Sequence, residues 1–135
     1  MANVERVKKA IAVMERVRDE NRAFDMNWWQ GRVGHNRCFD EAVPHACGTA
    51  ACFAGWLAVS PEFQADGGSI TLSGAPVFQG FREDDAVAAY LEVDRKIAMR
   101  LCGLLGEVEY YGVNNLHDIT PRHVIDKLKE LLPNG

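Results

Sequence analysis

The sequence is organised around one apolar stretch, CGTAACFAGWLAV, which runs from Cys47 to Val59. Its last ten residues, 50–59, include no charged side chain. Gly48 and Thr49 are typical of a helix start, because a threonine hydroxyl can accept a free backbone N–H of the first turn. The run is too short to cross a bilayer, which takes about 20 residues. A helix that is apolar on every side must be surrounded by other elements, so we expect a buried central helix at 50–59.

The composition is that of an ordinary globular domain. The 135 residues are 47% hydrophobic and 25% charged, which suits one core and a single domain over 1–135. The net charge of −4 argues against a nucleic-acid binder, which usually carries a basic face. The chain begins in a charged amphipathic pattern without a signal peptide, and its four cysteines indicate free thiols in a reducing compartment. We therefore expect a cytoplasmic protein that does not contact a membrane.

Most of the remaining chain has a helical pattern. Apolar residues at three- and four-residue spacing predict a helix from Val4 to about Phe24, with Asn3 as its N-cap. A helical region that begins near Glu83 is followed by Asp94, which is suited to cap a further helix. Thr120-Pro121 indicates the start of the last helix, because it places a capping residue before a proline at the first helical position.

A short β-structure interrupts the helices. Ser60-Pro61 is expected to stop or kink the chain after the central helix. Residues 69–73 alternate with a period of two, 74–76 favour a turn and the chain can return through 77–79, which predicts a small β-hairpin at 69–79. A lone hairpin is not stable in water, so it must pack on the helices. The predicted fold is mainly α: a single-domain helical bundle around a buried central helix, with a small β-hairpin.

Cysteines and histidines gather just before the apolar stretch and suggest one candidate metal site. His35, Cys38, His45 and Cys47, followed by Cys52, offer five ligands within 18 residues. Four such ligands would satisfy a structural zinc ion. The segment has no Cys-x-x-Cys knuckle, and its spacings fit no common zinc pattern. We therefore predict no cofactor and keep the metal site as an alternative.

The same segment suggests a catalytic cysteine. Cys52 would fall in the first turn of the predicted helix, where the thiolate is favoured; Cys47 is the second candidate. Three histidines could act as the base and one carboxylate could orient it: His45, His117, His123 and Asp118. The apolar neighbours of Cys52 favour instead a buried cysteine that packs as a small hydrophobic residue. A cysteine- or metal-dependent enzyme built on 35–52 is thus the alternative function.

A third candidate is a protein-binding surface. Adjacent Trp28 and Trp29 cannot both face inward from a regular element, and with Tyr110 and Tyr111 they could anchor a partner. Five acidic residues are assigned to the start of the third helical region: Glu83, Asp84, Asp85, Glu92 and Asp94. A solvated acidic helix end and half-buried aromatic packing are the structural alternatives. The sequence lacks a phosphate-binding glycine loop, a dinucleotide fingerprint and a Ser–His–Asp motif.

Three motifs together resemble a group of small uncharacterised proteins found in bacteria and their phages. They are Phe24-x-Met26-x-x-Trp29, the block Cys-Gly-Thr-x-x-Cys-x-Ala-Gly-Trp at 47–56, and Ile119-Thr120-Pro121, so that the likeness spans roughly 24–132. The resemblance implies an origin and no reaction, and it supplies no catalytic residue. By association it favours a host-interacting protein. We predict a non-catalytic protein–protein interaction module that binds another protein.

Overall fold

The computed structural model describes residues 2–20, 53–71, 75–102, 110–113 and 118–133, together with the backbone of 31–32 and 49–50. The described chain is mainly helical, as predicted. Its helices are α1 Val4–Asp19, α2 Phe53–Val59, α3 Pro61–Ala65, α4 Asp84–Leu91, α5 Arg95–Leu101 and α6 Pro121–Lys129. Its strands are β1 Gly31–Arg32, β2 Thr49–Ala50, β3 Ser69–Ile70, β4 Pro76–Phe78 and β5 Phe81–Arg82. Within these residues, no helix combines the length and the apolar character that a membrane crossing needs.

Helix α1 begins as its sequence predicts. The Asn3 side chain accepts a hydrogen bond from the Arg6 backbone N–H at 3.1 Å, which satisfies one of the free donors of the first turn. One face of α1 is buried from Val7 to Val17. The helix ends at Asp19 rather than near Phe24, soon after the apolar stripe ends at Val17. Residues 21–24 lie outside the described part.

The start of the apolar helix differs from the prediction. Thr49 and Ala50 form strand β2, which pairs antiparallel with β1 so that Thr49 lies opposite Arg32. Thr49 is therefore not an N-cap, since its backbone is extended and belongs to a strand pair. Helix α2 begins only at Phe53, and every residue from Phe53 to Val59 is buried.

The junction between α2 and α3 depends on Ser60. Its hydroxyl donates to the Leu57 carbonyl at 2.7 Å and accepts from the Phe63 N–H at 3.2 Å. Pro61 then occupies the first turn of α3, where its missing N–H costs nothing. The predicted stop after the apolar helix is confirmed, and the proline also begins a new helix.

The predicted hairpin is part of a three-stranded antiparallel sheet with the order β3-β4-β5. Pro76, expected in the turn, lies in β4 opposite Ile70. Strand β5 was not predicted. It follows a two-residue turn at Gln79 and Gly80, whose φ angles of 51° and 84° are both positive, as this kind of hairpin turn requires.

Helix α1 contacts more of the other helices than α2 does. It packs against α6, α2, α3 and α4, whereas α2 packs against α1, α3 and the strands β3 and β4. Between α1 and the sheet, three aromatic rings form a cluster. Tyr90 meets Phe63 and Phe78 edge to face, with centroid distances of 4.9 and 5.3 Å. Such pairs stabilise a core beyond their buried area.

The remaining two helices begin where the sequence predicts. The Asp94 carboxylate accepts from the Lys96 N–H at 2.8 Å at the start of α5. Helix α6 begins at Pro121, and the Thr120 N–H donates to His123 Nδ1 at 2.9 Å. Val124, Ile125 and Leu128 form its buried side.

Candidate binding groove

A groove with a volume of about 380 Å³ lies where four helix ends meet. It is formed by the start of α1, the turn between α4 and α5, and the residues after α6. Six of its lining residues are apolar and three are acidic: Ala2, Val4, Val93, Ile97, Leu131 and Pro133, then Glu92, Asp94 and Glu130. Five of the six apolar residues are partly buried and Pro133 is exposed, as are all three acids. We call Glu92, Asp94 and Glu130 the acidic rim.

The first wall of the groove is the turn between α4 and α5. Glu92 ends α4 in the left-handed conformation, with φ 56° and ψ 50°. The chain passes through Val93 to Asp94, which caps α5 as described above. In this short turn, Glu92 and Asp94 flank Val93, which lies beyond the end of α4.

Hydrogen bonds tie the start of α1 to this turn. The Asn3 N–H donates to the Leu91 carbonyl at 2.8 Å, and Arg6 Nη1 donates to the Tyr90 carbonyl at 3.2 Å. These two carbonyls are at the end of α4, where the helix itself supplies no donor. The Asn3 amide also donates to Glu92 Oε2 at 2.8 Å. The groove is therefore held at this side by backbone and side-chain bonds.

Arg6 also stabilises the turn between α4 and α5. Its guanidinium lies over the rings of Phe78 and Tyr90, 5.0 and 5.2 Å from their centroids, which is cation–π geometry. Its Nη1 is 3.7 Å from Glu92 Oε2. Arg6 is thus engaged with α4 and the sheet and does not line the groove.

Tyr110, a predicted binding residue, lies beside the acidic rim. Lys127 Nζ is 4.8 Å from the Tyr110 ring centroid and 3.4 Å from Glu130 Oε2. Burial raises the pKa of the Tyr110 hydroxyl, and the Glu130 carboxylate raises it further, because both disfavour the phenolate. The structure therefore places two of the predicted acids, Glu92 and Asp94, in the lining of one groove. Tyr110 is not a lining residue, and its link to the rim runs through Lys127 to Glu130.

Tyr111 has a different environment. It is 7% exposed, and its hydroxyl donates to the Leu101 carbonyl at 3.1 Å. Its ring meets Tyr110 edge to face at 5.1 Å. Tyr111 thus supports the position of Tyr110 and offers little surface of its own. Trp28 and Trp29 lie outside the described residues.

The other predicted acids are at the opposite end of α4. Asp84 and Asp85 occupy its first turn, where the helix dipole favours negative charge. Arg95 Nε is 3.0 Å from Asp85 and 3.6 Å from Asp84. Glu83 precedes them as the exposed N-cap residue. These three acids do not line the groove.

The cysteine and histidine candidates are mostly outside the described residues, namely His35, Cys38, His45, Cys47, Cys52 and His117. The remaining histidine candidate, His123, accepts from the Thr120 N–H at the start of α6. The candidate carboxylate, Asp118, is exposed. Within the part of the chain that is described, no group of three or more His, Cys, Asp or Glu residues is arranged to hold a metal ion. The enzyme hypothesis therefore stays a prediction.

The apolar part of the groove was not predicted. Ile97 and Leu131 have the sequence spacing of core residues in their predicted helices. Both side chains are partly buried and pack against the core. One signal was available: Val93 stands between two acids in a turn, outside any helical stripe.

Comparison with known proteins identifies no relative. Neither a protein-family model nor a curated protein nor a solved structure matches this chain. The likeness to bacterial and phage proteins therefore stays a prediction, and function must be argued from the groove.

Proposed function

We propose that this protein is a non-catalytic protein–protein interaction module that receives a segment of its partner in the groove. The observation that carries the proposal is that partly exposed apolar residues and three acidic residues line one groove. Binding sites are typically concave, with an apolar lining and a few polar groups that set orientation. Apolar anchors that enter such concavities dominate the binding energy of interfaces.

The proposal includes two features that the sequence suggests. The first is a cytoplasmic, host-interacting role, supported by the resemblance of the 47–56 block to small proteins of bacteria and phages. The second is the central position of 50–59 within the domain. It is supported by the burial of α2 between α1, α3 and the sheet.

The test compares the wild-type protein with two matched variants in partner capture and binding. Leu131→Asn places a polar group in the groove, and Phe81→Asn makes the same kind of change at a side chain that is 52% exposed on β5. Complete burial of a large apolar side chain stabilises by about 1.5–3 kcal/mol. Leu131 already packs partly against the core, so partner binding gains about half of this and Leu131→Asn should weaken it about three- to tenfold. Phe81→Asn should leave it unchanged. Circular dichroism confirms that both variants fold.

Two results would oppose the proposal. A partner that binds Leu131→Asn as tightly as wild type does not use the groove. Equal loss of partner binding in Leu131→Asn and Phe81→Asn indicates a general effect of surface polarity. Rapid turnover of a substrate that depends on Cys52 would instead support the enzyme alternative.

A further inference from the structure

We infer that the occupant of the groove is a basic amphipathic segment of another protein, with apolar side chains in the groove and Lys or Arg side chains on the acidic rim. This inference rests on the proposed function and specifies the chemistry of the partner. It starts from the charge of the lining. Three carboxylates line the groove, and among the described residues no Lys, Arg or His does.

The rim carboxylates retain the capacity to bind cations. The Glu92 and Glu130 side chains are 55% and 60% exposed. Glu92 accepts from the Asn3 amide and is 3.7 Å from Arg6 Nη1, and Glu130 pairs with Lys127 at 3.4 Å. An ionised carboxylate has about four acceptor positions, so each of these contacts leaves further acceptor positions open. Asp94 uses Oδ1 to cap α5, and its side chain also stands in the lining.

The same charges disfavour other occupants. An acidic peptide, a nucleic-acid backbone or an anionic lipid surface would bring negative charge against three carboxylates, and proteins bind such surfaces through Lys and Arg. A second copy that docked groove to groove would be related by a two-fold axis. That arrangement would place one acidic rim against the other. A cationic partner with apolar side chains would match both the acidic rim and the apolar lining residues.

The experiment uses two labelled 14-residue peptides of equal leucine content and spacing, one with Lys and one with Glu at the polar positions. Fluorescence anisotropy measures their binding to the full chain. The rim variant is Glu92→Gln/Glu130→Gln, which keeps a side-chain acceptor for Asn3. The control is Asp19→Asn/Asp118→Asn, which makes the same change in net charge at the far ends of α1 and α6.

The Lys peptide should bind wild type and the control variant equally, and the Glu peptide should not bind. The loss of two exposed ion pairs of ordinary strength corresponds to an affinity loss of about 2- to 30-fold. The rim variant should therefore bind the Lys peptide more weakly by that factor. Added salt should weaken wild-type binding more than that of the rim variant, because exposed charges are screened.

Failure of the inference is distinguishable from failure of the proposed function. The inference of a basic partner is overturned by any of three results. The Lys peptide binds wild type and the rim variant equally, the control weakens binding as much as the rim variant does, or the Lys peptide does not bind at all. The proposed function is tested separately, by measuring how Leu131→Asn changes the affinity for the captured partner. A dimer in sedimentation equilibrium that Leu131→Asn dissociates would assign the groove to a second copy, and would also overturn the inference.

Discussion

The Tyr90 hydroxyl donates a hydrogen bond to Asp66 Oδ2 at 2.7 Å, and through it helix α4 is joined to the end of α3. Lys9 of α1 reaches the same carboxylate with two contacts of 3.0 Å. One carboxylate thus links three helices around the aromatic cluster of Phe63, Phe78 and Tyr90. The wall of the groove depends on this arrangement, because Arg6 lies over two of these rings and bonds the end of α4.

Tyr90→Phe should destabilise the protein without changing its fold. The ring stays in place, but Asp66 loses a donor. A hydrogen bond to a charged group contributes about 1.5–3 kcal/mol, and the Asp66 side chain is 21% exposed, so water replaces part of the loss. We expect a decrease of about 1 kcal/mol in the free energy of unfolding, measured with urea. An unchanged free energy would show that the bond contributes nothing net.

The contact between Arg16 and Glu62 should make stability sensitive to acid. Burial alone would raise the pKa of Glu62, but the paired hydrogen bonds and charge of Arg16 bring the pKa below its usual value. The pKa of Asp66 is also lowered, mainly by the Tyr90 hydrogen bond and then by Lys9. Stability linked to a lowered carboxyl pKa is present above the unfolded value and is lost as pH falls through the folded value.

The free energy of unfolding should therefore be constant near neutrality and fall below about pH 4.5, the usual range of these carboxyls. Glu62→Gln should flatten part of this acid decline while lowering stability at pH 7. The check is urea unfolding at a series of pH values. A variant whose acid decline matches that of wild type would assign the decline to other groups.

Ser60→Ala should weaken the junction between α2 and α3. The Ser60 side chain is fully buried, and its hydroxyl bonds both the Leu57 carbonyl and the Phe63 N–H. Loss of a capping side chain costs about 0.5–2 kcal/mol, and burial places this site at the upper part of that range. Ser69→Ala, at an exposed strand position, is the control and should change stability little. Equal effects of the two substitutions in thermal unfolding would contradict the role of Ser60.

Helix boundaries that depend on local hydrogen bonds were predictable from the sequence. Asn3, Asp94 and Thr120 each precede a helix at the predicted residue, because a cap is decided within one turn of chain. The start of α2 was not predictable in this way. Thr49 has the chemistry of a cap, but pairing with β1, a segment distant in sequence, places it in a strand. Strand β5 was missed because Gln79 is an unusual residue for a turn with positive φ.

The candidate groove was predictable only in its charges. Glu92 and Asp94 were identified as a binding candidate from the acidic cluster, whereas Glu83, Asp84 and Asp85 of the same cluster lie at the other end of α4. The spacing separates the two groups, since Glu92 follows Asp84 by more than two helical turns, but it cannot show which group lines a groove. Nor can it show that Leu131 and Val4 line the same groove, since that depends on how α6 packs against α1.

The remaining alternative, an enzyme that uses the 35–52 segment, predicts a different behaviour of the thiols. We expect native protein treated with a maleimide to be modified slowly at Cys52, because a thiol among apolar side chains stays protonated and hard to reach. Cys102, which is 2% exposed, provides an internal standard that should react only on unfolding. Mass spectrometry of the digested protein resolves the two sites, and Cys52→Ala confirms the assignment.

The metal form of the same alternative is tested on the same preparation. Structural zinc sites contribute directly to folding, so chelators unfold proteins that depend on them. We expect the purified protein to hold less than one equivalent of zinc and to keep its circular dichroism in the presence of a chelator. Rapid labelling of Cys52 would instead favour the enzyme alternative. Unfolding on chelation with release of one zinc ion would show a structural metal site, and the prediction of no cofactor would then be wrong.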